Sequence, residues 1–115
     1  MAVLSSHFLD GTNGTHAAAV GVTLIHLDLA ENRQTVFSAF SDDGGRFTYQ
    51  VDAIAGGKYE ILIASGAYFK GYLLPRDSVQ ILEEIVIRFT MPDPEARYHI
   101  PVIMSPNSYS CWWSS

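Results

Sequence analysis

Arg97-Tyr98-His99-Ile100-Pro101-Val102-Ile103-Met104-Ser105-Pro106-Asn107-Ser108-Tyr109-Ser110-Cys111-Trp112-Trp113-Ser114-Ser115 is the stretch on which the reading of the fold turns. Two runs rich in β-branched, aromatic and apolar residues meet at Ser105-Pro106-Asn107-Ser108, a corner made of turn-forming residues. The pattern predicts strands over 98–104 and 109–113. Chain ends fray unless something ties them down. Two adjacent tryptophans and a cysteine suit no free tail, so this end is expected to be packed, beside His99 or against another subunit.

Working outward, the same signals recur. Residues 81–91 read as a strand, closed by the Pro92-Asp93-Pro94 turn. Glu83 and Glu84 are adjacent on that strand and point to opposite faces, so they form no carboxylate dyad. Residues 65–70 suit a short helix with Ser65 as its N-cap, closed by Pro75 and Asp77. Residues 58–64 read as a strand after the Gly56-Gly57 break. Arg46-Phe47-Thr48-Tyr49-Gln50-Val51 reads as another, with Phe47, Tyr49 and Val51 on one face. Ser41-Asp42-Asp43-Gly44-Gly45 before it is the clearest break in the chain. Residues 33–40 and 20–29 make two more strands around the polar Glu31-Asn32-Arg33 turn. Val22, Leu24 and His26 share one face of the earlier one. The strand over 5–10 ends at Asp10-Gly11, and Asn13-Gly14 favours positive φ in the loop that follows. Seven or eight short strands with turns every eight to fifteen residues predict an all-β sandwich with at most one short helix.

The totals narrow the function. A chain of 115 residues is one domain, residues 1–115, with room for a single core. Hydrophobic residues at 48% and charged residues at 17% describe a globular protein. The net charge of −5 and the absence of a Lys/Arg cluster speak against nucleic acid. One cysteine, Cys111, allows no internal disulfide and fits a reducing compartment. No apolar run suits a membrane helix, and the N-terminus lacks the pattern of a secretory leader. Trp112-Trp113-Ser114-Ser115 is not a peroxisomal address. A soluble cytoplasmic protein is the expectation.

Histidine is the usual general base near neutral pH. His7 and His99 sit inside terminal strands with few other ionisable neighbours. His16 falls in a loop and His26 on a strand face, and both read as structural. Arg46 leaves a tight turn, where a guanidinium is able to clamp an oxygen-rich or anionic ligand or simply remain solvated. Ser105 and Ser110 lack a Gly-x-Ser-x-Gly elbow. No phosphate loop, dinucleotide fingerprint or metal-ligand spacing occurs.

At these residues the chain resembles the 5-hydroxyisourate hydrolases, the transthyretin-related enzymes of urate breakdown. Ser5-Ser6-His7-Phe8-Leu9-Asp10 is similar to the family's Ser-x-His-Val-Leu-Asp opening. Asp42-Asp43-Gly44-Gly45-Arg46 resembles its Asp-Gly-Arg turn, and Ser65-Gly66-Ala67-Tyr68-Phe69 its Thr-Gly-Ala-Tyr-Phe. Residues 98–106 resemble Tyr-His-Ile/Val-Pro-Leu-Leu-Leu-Ser-Pro, and Ser108-Tyr109-Ser110 the Tyr-Ser approach to the end. The motifs keep the family's order and similar spacing over nearly the whole chain.

The resemblance implies a transthyretin-like, eight-stranded β-sandwich with one short helix. It implies a homotetramer with active sites at the dimer–dimer interface, a small-molecule substrate, and no cofactor or metal. It carries His7, Arg46 and His99 over as the catalytic set. The histidines, helped by a C-terminal hydroxyl, would activate a water that opens a cyclic amide, while Arg46 holds the substrate and stabilises negative charge. Ser110, Trp112, Trp113 and Ser115 are the tail positions expected to bind substrate. The family's Tyr-Arg-Gly-Ser end is Trp112-Trp113-Ser114-Ser115 here, so an arginine becomes Trp113 and a tyrosine Trp112. The family's Gly-x-Pro after the first strand reads Gly14-Thr15-His16, and its Phe-Tyr-Pro reads Ile81-Leu82-Glu83. Two alternatives follow from these departures. One is a repurposed member acting on a larger, more apolar ring. The other is a non-catalytic small-molecule carrier.

Overall fold

Strand β1 (Ala2–Asp10) is the axis of the molecule. Its alternation is strict: Ala2, Leu4, Ser6, Phe8 and Asp10 are buried, while Val3, Ser5, His7 and Leu9 are only partly covered. Period-2 geometry therefore sends Leu4 and Phe8 into the core and Ser5 and His7 to the opposite face. The computed structural model describes residues 1–71 and 79–115. The further elements are β2 (Thr15–His16), β3 (Gly21–Leu27), β4 (Arg33–Phe40), β5 (Arg46–Val51), β6 (Lys58–Ile63), α1 (Ser65–Phe69), β7 (Ile85–Thr90), β8 (Arg97–His99), β9 (Val102–Ser105) and β10 (Ser108–Cys111).

Two sheets form. In one, β4, β3, β6 and β7 lie side by side, all antiparallel. In the other, β1 is flanked along its first half by β5 and β8 and along its second by β2 and β9, with β10 outside β9. Both β8 and β9 run parallel to β1. Together they are the single strand expected over 98–104, interrupted at Pro101, which has no N–H to donate to a ladder. Counting that pair as one and setting aside the two-residue β2 leaves eight sandwich strands among the described residues. Leu4, Phe8, Val22, Leu24, Ile61, Ile63, Ile85, Val102 and Met104 fill the space between the sheets.

Several boundaries differ from the sequence expectation, each for a local reason. Strand β1 begins at Ala2 because β5 pairs with it as far as Ala2↔Val51. Strand β7 begins at Ile85, not at Ile81, which leaves Glu83 and Glu84 outside it. There the Gly66 N–H donates to the Glu83 carbonyl and the Ile81 N–H to Asn107 Oδ1, so this backbone serves the helix and a loop instead of a ladder. Ser65 does not cap α1. Ala64 holds the N-cap position without a side-chain bond, and Ser65 is buried as the first helical residue. Pro75 and Asp77 lie outside the described residues. In β3 the alternation slips: the β3–β4 register shifts between Leu24 and Ile25, and both are buried. Tyr49 shares the parity of Phe47 and Val51 but is exposed on the edge strand, where its ring stacks on Phe37 at 4.1 Å.

Candidate functional site

Pairing across the outer face of the β1 sheet assembles the site in rows. Arg46 lies directly opposite His7 in the β5–β1 ladder. One row along, Ser5 lies between Thr48 on β5 and His99 on β8, and His99 bridges to Ser114. One row the other way, Leu9 lies between His16 on β2 and Ile103 on β9, and Ile103 faces Ser110 on β10. The β1 register to β8 and to β9 is the same, which places Pro101 beside His7. The Trp112 N–H donates to the Pro101 carbonyl, which extends the His7 row to Trp112. The side chains of one row and the next stand on the same face because their positions on β1 differ by two.

Turn chemistry determines what stands beside His7. Asp42 Oδ1 accepts from the Gly44 and Arg46 N–H groups, and the Gly45 N–H donates to the Asp42 carbonyl. Gly45 has φ +75°, and a Cβ there would lie 2.5 Å from the Phe8 carbonyl. The Phe8 N–H in turn donates to the Gly45 carbonyl at 2.7 Å. This turn thus lodges against β1 where β5 stops and β2 starts, and it delivers Arg46 to His7. On the other side, Asp10 Oδ1 accepts from the Thr12 N–H and hydroxyl, and Asn13 Oδ1 from those of Thr15. Gly14 takes φ +77°. These two turns return the chain onto β1 at β2 and bring His16 up.

His7 Nε2 and His16 Nδ1 are 2.8 Å apart and hydrogen-bonded. His99 Nδ1 and Ser5 Oγ share another bond of 2.8 Å. The His7 pKa is lowered from 6.5, first by burial, then by the Arg46 charge and by His16, with a smaller push from His99. A hydrogen bond to the Gly44 backbone acts in the opposite sense. His7 is therefore held neutral at pH 7, the form that accepts a proton. Arg46 makes no ion pair among the described residues, so its guanidinium is available to an anionic or oxygen-rich group. Among the described residues no three His, Cys, Asp or Glu side chains converge as metal ligands.

The structure brings His7, Arg46 and His99 together on one face, with Ser110 two rows from His99. It also divides the tail. Residues Ser105 to Ser114 run back along β9 and β8 in one antiparallel register, so Ser110, Trp112 and Ser114 alternate with Cys111, Trp113 and Ser115. Trp113 and Ser115 line a separate cleft of about 480 Å³, with Phe89, Pro92, Arg97 and Ile100. The expected packing of the chain end beside His99 is present, since His99 and Ser114 exchange both backbone hydrogen bonds. His16 is the residue that the sequence reading placed in a loop and set aside. The Asn13-Gly14 turn was the signal for it, because a tight return there puts residue 16 next to residue 9.

The profile of the HIUase/Transthyretin family matches residues 4–113. The 5-hydroxyisourate hydrolase of Deinococcus radiodurans is 32% identical over 115 residues, covering 97% of this chain and 95% of that one. Among solved structures, (S)-allantoin synthase superposes with a TM-score of 0.81 at 29% identity, over 99% of this chain. This chain spans 44% of that longer protein. Klebsiella pneumoniae 5-hydroxyisourate hydrolase superposes with a TM-score of 0.78 at 24% identity, over 98% of this chain and 99% of that one, a likeness of fold.

Proposed function

The chain belongs to the HIUase/Transthyretin family, and from that premise we propose that it is a hydrolase opening the cyclic amide of 5-hydroxyisourate with His7, Arg46 and His99. The observation that carries this reading is the direct opposition of Arg46 and His7, with His99 one row away on the same face. Neutral histidine takes a proton from water as the water oxygen attacks the ring carbonyl carbon. Arg46 stabilises the oxyanion that forms. Collapse breaks the C–N bond, and the proton passes from imidazolium to the departing nitrogen. No net proton is gained or lost by the protein.

Two further features support the reading. His7 is kept unprotonated by burial and by Arg46. Ile103 and Trp112 stand exposed beside the histidines, apolar surface that a facing subunit would cover in a homotetramer with sites between its dimers. Excluding water there would strengthen each electrostatic contact.

The test is hydroxyisourate decay, generated in place from urate and followed by absorbance. Acceleration by the wild type, falling about 100-fold or more in His99→Ala and in Arg46→Ala, is the expected result. No acceleration from a folded sample would refute it. A second reading, hydrolysis of a larger and more apolar ring, is favoured by Trp112 at the end of the His7 row. It predicts turnover of such rings, with hydroxyisourate left untouched.

A further inference from the structure

We propose that His16 is a positioning residue for His7, which fixes the ring and tautomer of His7 and shares the proton that His7 takes up. The proposal deepens the hydrolase reading of this site and rests on it for its kinetic consequence. Its geometric basis stands apart. His16 occupies the position where the resembling motif has proline, a residue without a side-chain donor or acceptor. The β2 hairpin sets its Nδ1 2.8 Å from His7 Nε2, with ring centroids 5.0 Å apart. The hairpin itself is held by the Asp10 and Asn13 side chains, so His16 is carried on a built turn.

The remaining contacts of His7 assign the protons. Its ring also bonds the Gly44 backbone in the sense that favours the protonated ring, which makes Gly44 the acceptor through its carbonyl. A carbonyl only accepts, so the nitrogen facing it carries hydrogen. With Nε2 turned to His16, that nitrogen is Nδ1. Neutral His7 then keeps its lone pair on Nε2, and His16 donates Nδ1–H to it. The unprotonated nitrogen of His16 is its Nε2. When His7 leaves this bond to take a proton from water, both of its nitrogens bear hydrogen, and His16 turns its ring to present Nε2, which bears no hydrogen, as the acceptor. The returning proton reverses the exchange. The groups that face this pair are Arg46 from β5, His99 from β8 and the Gly44 backbone, and Arg46 and His99 both disfavour the protonated form of His7.

The experiment uses ¹⁵N-histidine-labelled wild type, His16→Ala, His16→Asn and His16→Pro, the last restoring the motif residue as a folding control. Imidazole nitrogen shifts are followed from pH 4.5 to 8.5, and kcat/KM for hydroxyisourate decay is measured over the same range. The expected result is that His7 is an Nδ1–H tautomer in the wild type and that its midpoint rises in His16→Ala and His16→Pro. In those variants kcat/KM falls about tenfold and its acid limb moves with the midpoint. Asparagine restores much of the rate through its amide, but not the wild-type titration. An unchanged His7 tautomer and midpoint in folded His16→Ala would overturn the proposal. So would equal rate losses in all three variants with an unmoved pH profile. If the wild type does not turn over hydroxyisourate, the hydrolase reading fails while the nitrogen shifts still decide the role of His16.

Discussion

Gly45→Ala should damage both the fold and the site, through one carbonyl. The new Cβ would lie 2.5 Å from the Phe8 oxygen, 3.1 Å from the Ala17 nitrogen and 3.3 Å from the Ala17 oxygen. These are backbone atoms of β1 and the β2 connection, so no flexible side chain can yield. The φ of +75° adds roughly 1 kcal/mol for a residue with a Cβ. Relieving the contact requires the turn to withdraw by most of an ångström. That stretches the Phe8 N–H to Gly45 carbonyl bond of 2.7 Å and disturbs the Ala17 N–H to Phe8 carbonyl bond of 2.9 Å. At about 1 kcal/mol for each weakened bond, the whole effect is about 3 kcal/mol. For 115 residues and an unfolding entropy near 2.1 cal/mol/K per residue, Tm falls by about 12 °C. Gly44→Ala is the internal control, because its Cβ would meet only Asp42 Oδ1 at 3.5 Å. Thermal melts by circular dichroism, with hydroxyisourate decay at 20 °C below each Tm, make the comparison. Equal melting of the two variants would refute the reasoning. So would a loss of stability in Gly45→Ala with an unaltered rate, since withdrawal of this turn must carry Arg46 away from His7.

The pH dependence of His7 follows from its causes, burial first and Arg46 second. The acid limb of kcat/KM should have its midpoint below 6.5, and Arg46→Gln should raise the His7 midpoint measured by NMR. Because the folded pKa lies below 6.5, the unfolded chain binds the proton more readily. The His7 contribution to stability is intact above about 6.5 and erodes as pH falls toward the folded value, which urea titrations at pH 7.5 and 5.5 would resolve. Glu60 has the same pH sign, but its causes oppose one another. Burial raises its pKa, but Arg33 and Arg88 outweigh burial and hold it below 4.5. With both arginines about half exposed, Glu60→Gln should cost about 1–2 kcal/mol at pH 7. Depressed below its unfolded value, Glu60 loses this contribution as pH falls below 4.5 toward its folded value, so the gap between variant and wild type should narrow in urea titrations from pH 7 to pH 3. In steady-state kinetics Trp112→Ala should raise KM by about fivefold, for a lost aromatic contact near 1 kcal/mol, while Trp113→Ala leaves it unchanged.

Much of the sandwich was legible because its signals are local. Strands β4 and β5 begin and end where the composition changes, at Arg33, Phe40, Arg46 and Val51. What failed involved backbone claimed from a distance. The strand-like residues after Ile81 do not extend β7, because Asn107 and Gly66 take their backbone groups. The alternation of β3 holds through Val22 and Leu24, then slips at the irregular pairing with β4. Within β3 the adjacent apolar pair Leu24-Ile25, with Leu27 after it, carries the change of parity.

The site divides in the same way. Arg46 and His7 are far apart in sequence, and His99 reaches His7 through parallel pairing of β8 with β1, a contact that periodicity cannot predict. Resemblance, not pattern, placed those three on one list. The tail was different, because its own alternation was readable. In an extended segment, adjacent residues face opposite ways, so Trp112 and Trp113 never formed one aromatic surface. Trp112 continues the His7 row and Trp113 enters the cleft with Arg97. On that parity the tail residue bridged to His99 is Ser114. The substitution we expect to bear on the histidines is therefore the one at 112. An arginine restored at 113 would enter a cleft that already holds Arg97 and would leave His7 and His99 as they are.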